Sequence, residues 1–147
     1  HRGPRLVCDE IGPTAAVPPN GRWVAYVSSD SGGAEVYVRP LSGDWERQVS
    51  TDGGVEPAWS RDGRELFYWN QNELHVVGVT TGDTFQPQAS TALLEGTYLR
   101  TSTAHASYDV APDGRFLMVK LEPRVAVSQL NVVQNWFGEL QRLVPTP

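Results

Sequence analysis

The chain has 147 residues, 39% hydrophobic and 20% charged, an ordinary balance for a folded domain. Its formal net charge is −5 and no basic stripe is present, which argues against nucleic acid or an anionic membrane as a partner. No apolar run reaches the roughly 18 residues that span a bilayer, the N-terminal His1-Arg2-Gly3-Pro4-Arg5 lacks the apolar region of a signal peptide, and Cys8 is the only cysteine.

Taken in chain order, the elements read as short strands separated by turn clusters. A strand-like piece at 5–9 comes first, with Cys8 as a small buried strand residue. Strands then follow at 13–17, 22–28, 35–40 and 46–50, and again at 56–59, 65–69, 73–79 and 89–94. A third series has strands at 107–110, 115–121 and 129–134. It lacks a fourth member, because residues 135–143 carry the apolar spacing of a short helix or cap.

Three turns punctuate these series: Asn20-Gly21-Arg22, Asp62-Gly63-Arg64 and Asp113-Gly114-Arg115. Each leads into an apolar and aromatic run, beginning at Trp23, at Leu66 (one residue later) and at Phe116. Gly21 and Gly63 are 42 residues apart, and Gly63 and Gly114 are 51. Self-similarity on this scale marks a repeat architecture. Asn20-Gly21 also favours positive φ and a tight hairpin.

The stretches Trp59-Ser60-Arg61-Asp62-Gly63, Val110-Ala111-Pro112-Asp113-Gly114 and the looser Val17-Pro18-Pro19-Asn20-Gly21 resemble the Trp-Ser-Pro-Asp-Gly blade signature of TolB-type β-propellers. The segment from Gln129 to Pro145 is similar to the C-terminal end of propeller regions attached to bacterial serine/threonine kinases and transcriptional regulators. The resemblance covers about residues 6–146. It implies an all-β fold of three four-stranded blades, at about 11–53, 54–97 and 105–147, and a soluble, bacterial-type protein of open compartment. No kinase or DNA-binding domain is present, so neither activity carries over.

Complete TolB-type domains usually have six blades, and propellers use 4–8. A three-blade arc leaves blade faces and a strand edge open, a state that favours association. The expectation is therefore a homodimer in which two chains close one six-bladed propeller. By strand exchange, residues 5–9 would complete the partner's last blade.

No nucleophile elbow, phosphate-binding loop or zinc helix occurs. Gly32-Gly33 and Gly53-Gly54 read as turn glycines. The inner strands begin near Glu10, Gly54 and His105, so Glu10, Glu56 and His105 would gather at one channel mouth of a dimer. With Asp109 they are the candidate ligands for a divalent metal such as zinc or manganese. Such a metal could activate water for phosphoester hydrolysis. Asp109 alternates with Ser107 and reads first as bonded within its blade or lining the channel, and charged residues at a wet channel mouth need no ligand at all. Tyr98 and Arg100 are the candidate contacts for a small anionic ligand. His75 reads as a strand residue packed between blades. Trp23, Trp45, Trp59, Phe67, Tyr68, Trp69, Tyr108 and Phe116 read as inter-blade core.

Two main function classes follow, with a third behind them. One is a non-catalytic scaffold binding a peptide, protein or small ligand at the channel face. The other is a metal-dependent hydrolase of phosphodiesters or phosphotriesters, with its site in the dimer channel. A regulatory region related to kinase-attached propellers is a third, resting on the C-terminal resemblance alone.

Overall fold

The computed structural model describes residues 14–81, 84–100 and 106–122. The expected strands at 5–9 and 129–134, the cap at 135–143 and Cys8 lie outside them. Among the described residues all regular structure is β, in three antiparallel sheets. Sheet 1 holds β1 (Ala15–Ala16), β2 (Trp23–Ser28), β3 (Glu35–Pro40) and β4 (Arg47–Gln48) in that order. Sheet 2 runs β5 (Val55–Trp59), β6 (Glu65–Asn70), β7 (Glu73–Thr81), β8 (Phe85–Pro87), with β9 (Thr91–Glu95) also on β7. Sheet 3 is the pair β10 (Tyr108–Val110) and β11 (Phe116–Met118).

The repeated turns are built alike. In each, the glycine N–H donates to the carbonyl three residues back, from Gly21 to Pro18, Gly63 to Ser60 and Gly114 to Ala111. The glycines take φ of 63°, 70° and 81°, a region that costs side-chain-bearing residues about 1 kcal/mol or more. The preceding Asn20, Asp62 or Asp113 uses its Oδ1 to accept the N–H of the following arginine, at 3.0, 3.0 and 3.2 Å. That local bond explains why the position is Asn or Asp in all three turns. Only the glycine of Asn20-Gly21 has positive φ, so this turn differs from the two-residue Asn-Gly hairpin, where both residues do.

Sheet 2 lies between the other two, and its apolar runs follow from that position. On β6, Leu66 and Tyr68 join Trp23, Ala25, Val36 and Val38 of sheet 1 in one core. Phe67 and Trp69 turn to the opposite face and pack with Tyr108, Phe116 and Met118 of sheet 3. A strand buried on both faces has no reason to alternate apolar with polar residues.

Sheet 3 differs from sheet 2 by one residue after its turn. In sheet 2 the Ser60 N–H bonds the Glu65 carbonyl and Trp59 pairs with Leu66. In sheet 3 the Ala111 N–H bonds the Arg115 carbonyl and Val110 pairs with Phe116. The side-chain period of a strand is two, so losing one residue exchanges the faces. Phe116 and Met118 therefore face the core, while Leu117 (75% exposed) and Val119 stand on the far side.

The outer edge of sheet 2 departs from the expected single strand at 89–94. Strand β7 continues to Thr81 and pairs with β8 at one end and β9 at the other. Gly78 marks the break: its carbonyl accepts the Gln88 N–H, and a Cβ there would lie 2.6 Å from the Gln88 side chain. Beyond β9, the main chain at 97–99 bonds that at 119–121. Trp45 departs from the inter-blade core expected of it. It is 44% exposed, because it lies in the connection between β3 and β4, although its ring touches Trp23 at 5.4 Å.

Candidate channel-face site

The innermost strands β1, β5 and β10 border one open cleft of about 680 Å³. Small side chains there (Ala15, Ala16 and Ala58) keep the main chain near the cleft surface. Its charged lining residues are Arg61 and Asp109, one of each sign. Asp109 is exposed and accepts its neighbour Val110's N–H at 2.8 Å.

Glu56 occupies a different place. The register of β5 slips between Val55 and Ala58, and Glu56 takes φ of 53° within that bulge. Its carboxylate, 7% exposed, accepts the Ser107 N–H at 2.7 Å and the Ser107 hydroxyl at 3.2 Å. Its main-chain carbonyl accepts the Tyr108 hydroxyl at 2.9 Å. Arg100 brings Nε to 3.9 Å from the same carboxylate, donates to the Gln71 carbonyl and lies over the Trp69 ring at 5.8 Å. Tyr98 packs on Trp69 from another side, 5.5 Å between centroids. Glu56, Tyr98 and Arg100 thus come together as a knot tying sheet 2 to sheet 3. The Tyr108 hydroxyl is held protonated well above the usual phenol range, by burial first and then by the Glu56 charge.

Sheet 1 carries a counterpart. Glu35, also buried, accepts the Ser50 hydroxyl and, at 2.9 Å, the Gly53 N–H, while Ser50 Oγ accepts the Val36 N–H at 2.7 Å. Asp52 and Gly53 have positive φ in this connection, and the Gly54 N–H bonds the Ala34 carbonyl at 2.8 Å. Glu35 carries no sequence signal of its own, since a glutamate opening a strand has the look of an exposed residue. The one available signal was Ser50 with Asp52-Gly53-Gly54 behind it, a turn whose N–H groups need an acceptor.

Glu10 and His105 lie outside the described residues. Among the described residues no three His, Cys, Asp or Glu side chains are grouped as a metal site. Asp109 lines the cleft, whereas Glu56 does not. His75 stacks on Tyr68 (5.3 Å, 13°) and contacts Ser90 Oγ and Glu73 Oε2, each at 3.1 Å. No helix of the described residues is long and apolar enough to cross a membrane.

No protein-family model and no curated protein matches the chain. Among solved structures it is similar to TolB from Acinetobacter baumannii, with a TM-score of 0.52 and 17% identity. The match covers 81% of this chain and 29% of that one. At this identity the likeness speaks for the fold, and the fold is a TolB-type, propeller-like one, with the three sheets in the place of blades.

Proposed function

We propose that the chain is a propeller scaffold that binds a peptide, protein or small ligand at its channel face and works as a dimer. The observation carrying this reading is the shared cleft bordered by all three inner strands, with the opposed charges of Arg61 and Asp109 in its lining. Concave sites of several hundred Å³ with few polar anchors are the usual form of binding sites. The two buried glutamates support it indirectly, because both serve the framework and hold the strands that shape the cleft.

Dimerisation is supported by the far face of sheet 3. Leu99, Leu117, Val119 and Leu121 are all exposed there. Propeller blades bury such faces against the next blade, and a second copy is the source of a next blade in this reading. The cycle of blades would then be about 11–53, 54–97 and 105–147 in each chain. The metal-dependent hydrolase reading has no specific observation in its favour among the described residues.

A displayed peptide library panned against the purified protein tests the channel reading. Selected binders are expected to lose affinity on Arg61→Ala or Asp109→Ala, with thermal stability unchanged. Binders indifferent to both substitutions would count against the channel as the site.

A further inference from the structure

We propose that Ser90, at the outer edge of sheet 2, is an activated nucleophile for acyl transfer from small activated esters, with His75 as its base and Glu73 as the residue positioning that base. Glu73 and His75 stand two residues apart on β7, hence on one face of the strand. Strand β9 pairs with β7 through Thr91 and Ala92, which brings Ser90 beside them. His75 places Nδ1 3.1 Å from Ser90 Oγ and Nε2 3.1 Å from Glu73 Oε2. Tyr68, the partner of His75 on β6, stacks on the imidazole and brings its hydroxyl to 2.7 Å from the same Oγ.

The proton positions follow from Glu73. A carboxylate only accepts, so Nε2 carries the imidazole proton and Nδ1 is left bare. Ser90 then donates to Nδ1, and the Tyr68 hydroxyl donates to Ser90 Oγ. Burial, the largest influence on Tyr68, raises its pKa and so keeps that donor in place. A hydroxyl bonded to a base that a third group orients is the arrangement of an activated nucleophile. Ser90 is exposed, while the His75 side chain is sheltered at 15% exposure. The nucleophile is thus open to a substrate and the base is held.

In the acylation step, Ser90 Oγ bonds to the acyl carbon as its proton passes to His75 Nδ1. The Tyr68 hydroxyl, already bonded to Oγ, is placed to donate to the oxyanion that forms on that carbon. The ester C–O bond then breaks, and the leaving oxygen takes the proton from Nδ1. Water, deprotonated by the same nitrogen, releases the acid and restores Ser90. The sum is an ester and water giving an acid and an alcohol. A phenyl ester is the fitting class, because a phenolate leaves with little assistance.

The test incubates the intact chain with para-nitrophenyl acetate, quenches it in acid and locates acetyl groups by peptide mass mapping. Ser90 should be acetylated faster than any other hydroxyl of the chain. His75→Gln should slow that reaction about 100-fold or more. Glu73→Gln should slow it about ten-fold or more, with partial recovery in Glu73→Asp. Acetyl groups confined to amines and other hydroxyls overturn the proposal, as does Ser90 acetylation that is equally fast in His75→Gln. The wild-type chain unfolded in urea should lose its preference for Ser90, which decides the matter even if a variant fails to fold. A preference that survives urea overturns the proposal too.

Discussion

At the junction between sheets 1 and 2, Trp59 donates its indole N–H to the Ala16 carbonyl at 3.0 Å. At the junction between sheets 2 and 3, Tyr108 donates its hydroxyl to the Glu56 carbonyl at 2.9 Å. In both, an aromatic side chain on one inner strand reaches back to the main chain of the inner strand before it. The signature tryptophan is thus replaceable: Val110 stands at its place in the third turn motif, and Tyr108, two residues earlier on the same face, takes over the bond. What the architecture requires is a long apolar body with a donor at its tip, rather than one residue at one position. The junctions differ in a second respect. The second adds a buried carboxylate across the sheets, Glu56 to Ser107, whereas Glu35 in sheet 1 braces the connection leading into sheet 2.

The largest effect should come from removing the aromatic floor of the second junction. Trp69→Ala deletes a fully buried ring that contacts Tyr98, Tyr108 and Arg100, with an expected cost of about 3–5 kcal/mol by chemical denaturation. Trp45→Ala, half exposed in sheet 1, should cost no more than about 1 kcal/mol. Equal costs would mean that the second junction is not packed as described.

Glu56 offers a sharper probe, because its φ is 53°. Glu56→Ala and Glu56→Gly both abolish the carboxylate link to Ser107, but only alanine keeps the backbone penalty. The glycine variant should therefore be the more stable of the two by about 1 kcal/mol. The same pair at Glu35, whose φ is not positive, should show the reverse order.

Tyr108→Phe leaves the Glu56 carbonyl without its donor in a buried setting and should cost about 1–3 kcal/mol. It should also change the response to alkali. The folded chain raises the Tyr108 pKa, so the stabilisation from the neutral phenol is fully present below about pH 10 and is lost as pH rises beyond it. Denaturation midpoints should fall as pH rises above about 10, and Tyr108→Phe should flatten that fall. Tyr26 has a raised pKa too, from burial and then from its bond to Glu46. Any slope remaining in the Tyr108 variant should therefore diminish in Tyr26→Phe.

Effects of modest size are expected at the turns. Gly114 has no neighbour within 4 Å of an added Cβ, so Gly114→Ala should cost about 1 kcal/mol, from its positive φ alone. Gly63 has Pro18 Cβ at 3.4 Å and the same φ sign, so Gly63→Ala should cost slightly more. A neutral result at both would contradict the left-handed turn geometry.

Much of the framework was legible because local rules and the fold agree. The Asn/Asp-Gly-Arg turns were visible from three residues each, since the Asx bond and the positive φ are local matters. Strand β3 matches its expected bounds at Glu35–Pro40. The split of the outer edge into β8 and β9 was not legible, because it depends on Gln88 packing over Gly78 across the ladder. Nor was the exchange of faces in β11, although the single residue missing after Arg115 was in view. The candidate site fared differently for a physical reason. Carboxylates near inner-strand starts look alike in sequence, yet Glu56 is drawn inward by a bulge while Asp109 remains at the cleft surface.

In the proposed dimer a second copy covers the exposed far face of sheet 3, and light scattering coupled to size exclusion measures this directly. At micromolar concentration the chain should elute with twice its own mass, and Leu117→Glu with Val119→Glu should convert it to one chain mass while retaining its β spectrum. A wild-type chain that runs as a folded monomer would contradict the account.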